Sequence, residues 1–437
     1  MKWVFTKRAA ALQIFIFLNS IISAKYVLAY EWDSRFELRH FYYPLAKSDP
    51  QVSDLENETH FEVGALRLQT QLNWSPKNPS PEERFYFDFS QANYRWNFDP
   101  WSLKVGSDFF NWGVTDGFNP VDIVNTKNYF DPIHSKKMGA LNVQLNFSKE
   151  GWEFDFILIP KANKALLPGT NSRWLPREIY ISNQPTVEGN KMILRLPQTL
   201  NYTYDRPSTN DTEDSPLKNN IAFRGQKFIE NTEFGIYYYD GVAGLPLISP
   251  IVTGQLLQIS PEYIVQVDSD VVLQIQEYRQ KMLGLSMTHN FQSFLFKIES
   301  AGFQPQDSVL NLKPIRYETV VALEKPLSHQ WITLFQYAWT NTNPTFSGND
   351  LDSLTHFFES NTMLGVQYLG SQNQSGTLFI SHDLKLKSSL MDLTWIYRMN
   401  DIYKIKTYIH WIEANTNSSL GAFSNNKKFG LGIEANF

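Results

Sequence analysis

The sequence contains no cysteine. That excludes a disulfide framework, a thiolate metal site and a cysteine nucleophile. It also lacks any excess of basic charge. Thirty-nine Lys and Arg against 44 Asp and Glu leave a formal net charge of −5. A nucleic-acid binder rests on many cation–phosphate contacts, so nucleic acid is not expected as a partner. Beyond the N-terminus there is no apolar run of the about 20 residues that a membrane-spanning helix needs. The enzyme signatures are missing too: no Gly-x-Ser-x-Gly elbow, no phosphate-cradling Gly-x-x-x-x-Gly-Lys-Ser/Thr loop and no His-Glu-x-x-His. The histidines (His40, His60, His134, His289, His329, His356, His382 and His410) fall in different segments. Ser381-His382-Asp383 has residue types of a hydrolase, but neighbours on a strand face opposite ways. We therefore expect no enzyme, no cofactor and no metal.

Aromatic residues are abundant: 12 Trp, 21 Tyr and 32 Phe, or 15% of the chain, far too many for a disordered polypeptide. The first segment reads as an export signal. Lys2, Lys7 and Arg8 precede a mostly apolar run from Ala9 to Ala24, and Val27-Leu28-Ala29 fits the small-residue cleavage rule. A cut after Ala29, with Ala24 as the alternative, leaves residues 30–437 as one domain.

The remaining chain alternates with period 2, as strands with two unlike faces do. In Leu66–Trp74, Leu66, Leu68, Thr70, Leu72 and Trp74 oppose Arg67, Gln69, Gln71 and Asn73. In Tyr403–Trp411, Lys404, Lys406 and His410 share one face. A soluble sandwich or propeller would bury the apolar face; a transmembrane barrel would turn it to lipid. Three features favour the barrel. Many segments run about 9–12 residues, the length of a tilted bilayer-crossing strand. Aromatics gather at segment ends (Phe41, Tyr42, Tyr43; Trp96, Phe98, Trp101; Tyr237, Tyr238, Tyr239), as rings do at a lipid–water boundary. The chain also stops inside a strand, where Phe429, Leu431, Ile433, Ala435 and Phe437 alternate with Gly430, Gly432, Glu434 and Asn436. This ending resembles the C-terminal signal of bacterial outer-membrane barrels, which implies barrel-assembly machinery and outer-membrane lipid as partners.

The expected fold is thus all-β: an antiparallel transmembrane barrel of about 16 strands, within a range of 14–18. Keeping all short turns at one end requires one further strand within residues 161–230, with Lys191–Leu196 the candidate. The polar stretch 205–220 is expected to be surface-exposed, as are the loops 341–360 and 414–426.

Residues 110–137 contain Trp112-Gly113-x-x-Asp116 followed by Asn119-Pro120-x-Asp122. This pair of motifs resembles a widespread bacterial outer-membrane family known only as a domain of unknown function, with a porin-like barrel, and is similar to outer-membrane exporters of the alginate-export type. Gly151–Pro160, Glu233-Phe234-Gly235, Gly284-Leu285-Ser286 and Phe296–Glu299 extend the likeness over roughly residues 100–340. In this chain the spacer from Asp116 to Asn119 is shorter, and Ile123-Val124-Asn125 stands in place of an Arg-Glu continuation. One reading folds this loop into the lumen as a constriction, with Asp116 and Asp122 in the permeation path. The other makes it a structural turn whose side chains satisfy local backbone. Asp116, Asn119 and Asp122 offer too few ligands for Ca²⁺.

With the apolar face outward, the inward set is Arg35, Glu37, Arg39, Arg67, Gln69, Gln71, Asp88, Arg95, Lys104, Glu153, Asp155, Lys297, Glu299, Arg316, Glu318, Glu324, Arg398, Lys404, Lys406 and His410. Both signs are present. Such a wall passes small polar solutes with weak charge selection, or else its charges pair and brace the barrel. The leading expectation is an outer-membrane porin or channel for small solutes. The alternatives are a dedicated transporter for polysaccharide or hydrophobic compounds, and a non-transport structural or adhesive barrel. Oligomeric state cannot be read from the residues.

Overall fold

In the computed structural model, the described residues are 30–46, 50–175, 186–187, 190–206, 215–259, 262–306, 315–341, 360–370, 373–415 and 420–437. The expected export segment, half of the loop at 205–220 and most of that at 341–360 lie outside them. Among the described residues there is no α-helix, and no helix is long and apolar enough to cross a membrane.

Eighteen strands form the barrel. They are β1 (Tyr30–Tyr42), β2 (Gln51–Val63), β3 (Leu66–Trp74), β4 (Phe85–Phe98), β5 (Trp101–Asp108), β6 (Ala140–Lys149), β7 (Trp152–Lys161), β8 (Lys218–Ile229) and β9 (Thr232–Val242). The series continues with β10 (Arg279–Phe291), β11 (Phe294–Pro305), β12 (Arg316–Pro326), β13 (Trp331–Thr340), β14 (Ser360–Leu369), β15 (Gln374–Asp383), β16 (Ser388–Arg398), β17 (Tyr403–Glu413) and β18 (Lys428–Asn436). Each pairs antiparallel with its sequence neighbours, and β18 pairs antiparallel with β1 to close the ring. Closure is completed at the last residue. Phe437 donates its N–H to the Ser34 carbonyl at 2.9 Å, and its carbonyl accepts from the Ser34 N–H at 3.0 Å. A closed ring leaves no row of unpaired backbone groups, the condition for a sheet in hydrocarbon.

The outer face is apolar. Along β18, Leu431, Ile433 and the terminal Phe437 are more than half exposed, whereas Lys428 and Glu434 point inward and are buried. Leu283 and Leu285 on β10, Phe234 and Ile236 on β9, and Phe85, Phe87 and Phe89 on β4 continue the same outward belt. A dry protein interior would bury such a belt; here lipid is the medium that fits it.

The strand count lies within the expected range, but two strands escape the alternation pattern. On β2 the inward face carries Val52, Asp54, Glu56, Glu58, His60 and Glu62, while Asn57 and Thr59 interrupt the apolar outward face. On β8, Gly225 breaks the outward face and Ala222 dilutes the polar one. β8 is also the strand that parity demands. The candidate Lys191–Leu196 is not that strand. Asn190–Arg195 instead pairs in parallel with Tyr263–Gln276, in a separate sheet completed by Asn201–Asp205 and Leu247–Gln258. That sheet belongs to the loops at the long-loop end of the barrel.

The aromatic expectation is corrected at two places. Tyr237 and Tyr239 are fully buried and face inward, and Phe41 and Tyr43 are likewise buried inside, while Tyr42 between them is exposed. A strand alternates its faces whatever the residue type, so a run of three rings cannot all sit at the lipid boundary.

Candidate functional site: a loop seated across the lumen

The β5–β6 connection, residues 109–139, folds into the barrel. Its first arm turns on glycine. Gly113 has φ +87°, and a Cβ there would stand 2.3 Å from the Asn119 side chain and 2.5 Å from Glu299. Asn119 donates its side-chain amide to the Trp112 carbonyl at 2.6 Å, and Asp122 accepts the Trp112 N–H at 3.2 Å. The motif residues thus fold on one another. The arm is then pinned to the wall by one carboxylate. Glu299 of β11 accepts the N–H groups of Val114 (2.8 Å), Thr115 (3.4 Å) and Val121 (3.0 Å) and the Thr115 hydroxyl (3.3 Å). Three backbone donors that would otherwise be orphaned are satisfied by a fully buried acceptor, while the Thr115 hydroxyl also reaches the Phe118 carbonyl at 2.9 Å. Around them Trp112 and Val121 pack with Tyr237, Met282, Ala301 and Phe303, and the Trp112 and Tyr237 rings lie 5.7 Å apart.

The arm reaches the far wall. Gly117, at φ +71°, lies against Met363: a Cβ there would stand 2.6 Å from the methionine sulfur. Met363 sits on β14, nine strands from β5 in either direction round the ring. Gln336 of β13 donates to the Phe118 carbonyl at 3.3 Å. Lys297 pairs with Asp116 at 2.7 Å and Glu324 at 3.1 Å. The Asp116 side chain remains 52% exposed, whereas Asp122 is held by Lys137 at 2.7 Å.

The second arm is built differently. Lys127–Asn128 and Lys136–Lys137 pair as a small hairpin. Its polar contacts to the wall are ionic: Lys136 to Glu56 of β2 (2.5 Å), Asp131 to Lys428 of β18 (3.0 Å), and His134 directly to Asp392 of β16. Packing accompanies them: Phe130 meets Tyr86 of β4 edge-on at 6.3 Å, and Tyr129 is buried in an apolar cluster that includes Ile412 of β17. Asp131 also accepts the N–H groups of Ile133 and His134, both at 3.2 Å, and faces His134 Nδ1 at 3.2 Å. Burial opposes charge on the Asp131 carboxyl, but Lys428 and His134 outweigh it and hold the group well below the usual carboxylate range. Burial likewise opposes charge on the His134 ring, and Asp131 with Asp392 prevails, raising it to about 9.

Two cavities flank the loop. One of about 380 Å³ lies toward the short-turn end beneath Phe110 and Trp112, lined by Arg95, Lys104, Gln144, Asn146, Glu153, Asp155 and Arg224. The other, about 480 Å³, lies toward the long-loop end. Its lining includes Arg39, Lys136, Arg173 and Lys428 against Asp54, Glu56, Glu83, Asp131 and Asp392, with His134, Tyr408 and His410. The two share no lining residue.

Of the residues singled out from sequence, Arg95, Lys104, Glu153 and Asp155 line the first cavity. Asp155 there binds Arg224 at 2.5 Å, Gln144 at 2.8 Å and Asn146 at 2.8 Å. Arg39 and His410 line the second. Arg35 pairs with Glu58 at 2.6 Å, Arg39 with Asp54 at 2.7 Å and Arg67 with Glu62 at 2.8 Å. Lys406 bridges Glu37 (2.9 Å) and Glu434 (2.5 Å), and Lys404 joins Glu434 at 2.6 Å. Arg316 pairs with Glu318 at 2.9 Å and lies over the Phe303 ring. Pairing is thus the rule along the inner wall. Within the Ser381-His382-Asp383 triplet, Ser381 and Asp383 are buried and His382 is exposed on the opposite face. Sequence reasoning missed Glu56, Asp131, His134, Lys136, Arg224, Asp392 and Lys428. The one local signal was Asp131-Pro132-Ile133-His134, an Asx-type turn that presents a histidine.

No family model matches this chain, and no curated protein matches it in sequence. Solved structures do share the fold. The outer membrane protein OpdK of Pseudomonas aeruginosa is similar at TM-score 0.53 and 8% identity, covering 94% of this chain and 99% of that one. OccD3 (OpdP) of the same organism gives TM-score 0.51 at 8% identity, covering 94% and 91%. OccK3 (OpdO), also from it, gives 0.50 at 10%, covering 93% and 96%. At such identities the likeness establishes the closed outer-membrane-type barrel.

Proposed function

We propose that this protein is a porin of the bacterial outer membrane, an aqueous channel for small polar solutes with residues 110–137 as its constriction. The observation that carries this reading is a loop lying from β5 to β14 with a polar cavity on each side of it. Five carboxylates and four cations around the larger cavity favour weak charge selection over a single-sign filter. The short turns then face the periplasm and the long loops the exterior, with Phe437 offered to the assembly machinery and residues 1–29 removed on export. The motif pair Trp112–Asp116 and Asn119–Asp122 supports kinship with the porin-like family of unknown function. A barrel without enzymatic activity is consistent with braced, mutually paired inner-wall charges. One of the similar structures is that of Pseudomonas aeruginosa OpdK with vanillate, a ligand of that protein.

Planar-bilayer recording tests the reading. Steady ohmic steps with a small cation-to-anion preference are expected. Electrical silence of properly folded barrels would overturn it, as would recovery of the protein from the soluble periplasmic fraction.

A further inference from the structure

The lumen contains a histidine pair that the channel reading does not use. His134 Nε2, on the second arm of the loop, touches the Asp392 carboxylate of β16, and His410 Nδ1 of β17 lies 3.4 Å from the same oxygen. One ligand atom from each of the three residues falls within 4.8 Å of the others. His410 is 99% buried, as only 1% of its surface is open, and its Nε2 has no hydrogen-bond partner among the described residues. The nitrogen that faces the cluster, Nδ1, makes only the one long contact to Asp392, a spacing closer to that of two ligands of one ion than to that of a strong hydrogen bond. His134 is oriented from behind: its Nδ1 faces the Asp131 carboxylate at 3.2 Å, and Lys428 fixes that carboxylate at 3.0 Å. A carboxylate on the far nitrogen of a histidine is the arrangement that aims the near nitrogen at a metal.

We infer that His134, Asp392 and His410 form a transition-metal site that ties the loop to the barrel wall. Two imidazoles and one carboxylate suit Zn²⁺, Cu²⁺, Ni²⁺ or Fe²⁺ rather than Ca²⁺ or Mg²⁺. Metal–nitrogen and metal–oxygen bonds of about 2.0–2.2 Å need ligand atoms roughly 3–3.5 Å apart. The Asp392–His410 pair already has that spacing, and the direct Asp392–His134 contact opens as the ion takes the place of the hydrogen bond. The local charge admits a cation: Asp131 and Asp392 stand against Lys428 alone, and the ion displaces the proton that His134 and Asp392 share. The remaining coordination positions open to the 480 Å³ cavity, where water or a passing solute reaches them.

The site does not depend on whether the barrel conducts, so the test is read in detergent without any transport assay. The untagged chain is titrated with Co²⁺ by visible absorption and with Zn²⁺ by calorimetry. One ion per chain is expected, with the absorption bands of histidine-ligated Co²⁺. His134→Ala and Asp392→Asn should each weaken binding at least about tenfold, and Asp131→Asn by about 10–100-fold through the lost orientation of His134. His382→Ala, on the outer wall, should change nothing. Should Asp392→Asn fail to fold, His134→Ala on the loop decides alone. Absence of Co²⁺ bands in the parent chain, or equal Zn²⁺ affinity in the parent and His134→Ala, would overturn the assignment.

Discussion

The two arms of the lumen loop occupy one barrel but are held by different forces. The first arm, residues 110–122, is packed against buried apolar side chains and hung from Glu299 by short-range hydrogen bonds, with one ion pair to the wall, Asp116 to Lys297. The second, residues 126–137, adds three ion pairs, to Glu56, Asp392 and Lys428, to the packing of Tyr129 and Phe130. Desolvated hydrogen bonds and close packing ignore ionic strength; ion pairs facing a wet cavity do not. The first arm, with one such pair, therefore behaves mostly as part of the wall, and the second, with three, is the element that solution conditions move more.

The sharpest way to break the first arm is Glu299→Ala. It leaves the three N–H groups of Val114, Thr115 and Val121 without their acceptor, each costing about 1–3 kcal/mol if no water replaces it. The arm should leave the wall, raising single-channel conductance and exposing residues 110–122 to protease. Unchanged conductance and protection would show that packing alone seats it. Gly113→Ala should act in the same direction but less, because a Cβ at φ +87° is strained and collides with Asn119 and Glu299; about 1–3 kcal/mol is expected, read as a lower temperature for loop proteolysis.

The second arm should respond more than the first. Raising the salt from 0.1 to 1 M shortens the screening length from about 10 to 3 Å. Conductance scaled to the bulk solution should rise, and Lys136→Ala should abolish most of that rise. The smallest effect concerns pH, in metal-free buffer with chelator. His134 faces Asp131 and Asp392, with Lys428 and His410 also near, and its folded-state value is raised to about 9 from an ordinary 6.5. A raised histidine contributes its stabilisation fully below about 6.5 and loses it as pH climbs through 9. The second arm should thus loosen between those limits, seen in residues 126–137 as a rise in hydrogen exchange beyond the ordinary base-catalysed increase.

The same contrast explains what could be read from the sequence. The barrel was legible because lipid imposes a rule on every strand, and period-2 alternation exposes it. Sixteen strands obey it plainly. β2 hides because Asn57 and Thr59 stand on its outer face, and β8 because it follows a polar stretch and carries Gly225 outward. Trp112, Gly113, Asn119 and Asp122 were conspicuous because they fold locally on one another. Their anchor, Glu299, looked like any other inward carboxylate, as its role depends on a contact across 178 residues of chain to Val121. The His134–Asp392 contact spans 258 residues and leaves no spacing pattern to find.

The central claim is that the loop touches the wall opposite its own strands. Because the chain has no cysteine, a G117C/M363C pair can test this directly in the folded barrel. Mild oxidation should join β14 to the loop, giving a cross-linked species after proteolysis between the two positions, while each single variant gives none. If both thiols instead stay free and react readily with a bulky water-soluble maleimide, the loop does not cross the lumen and the account fails.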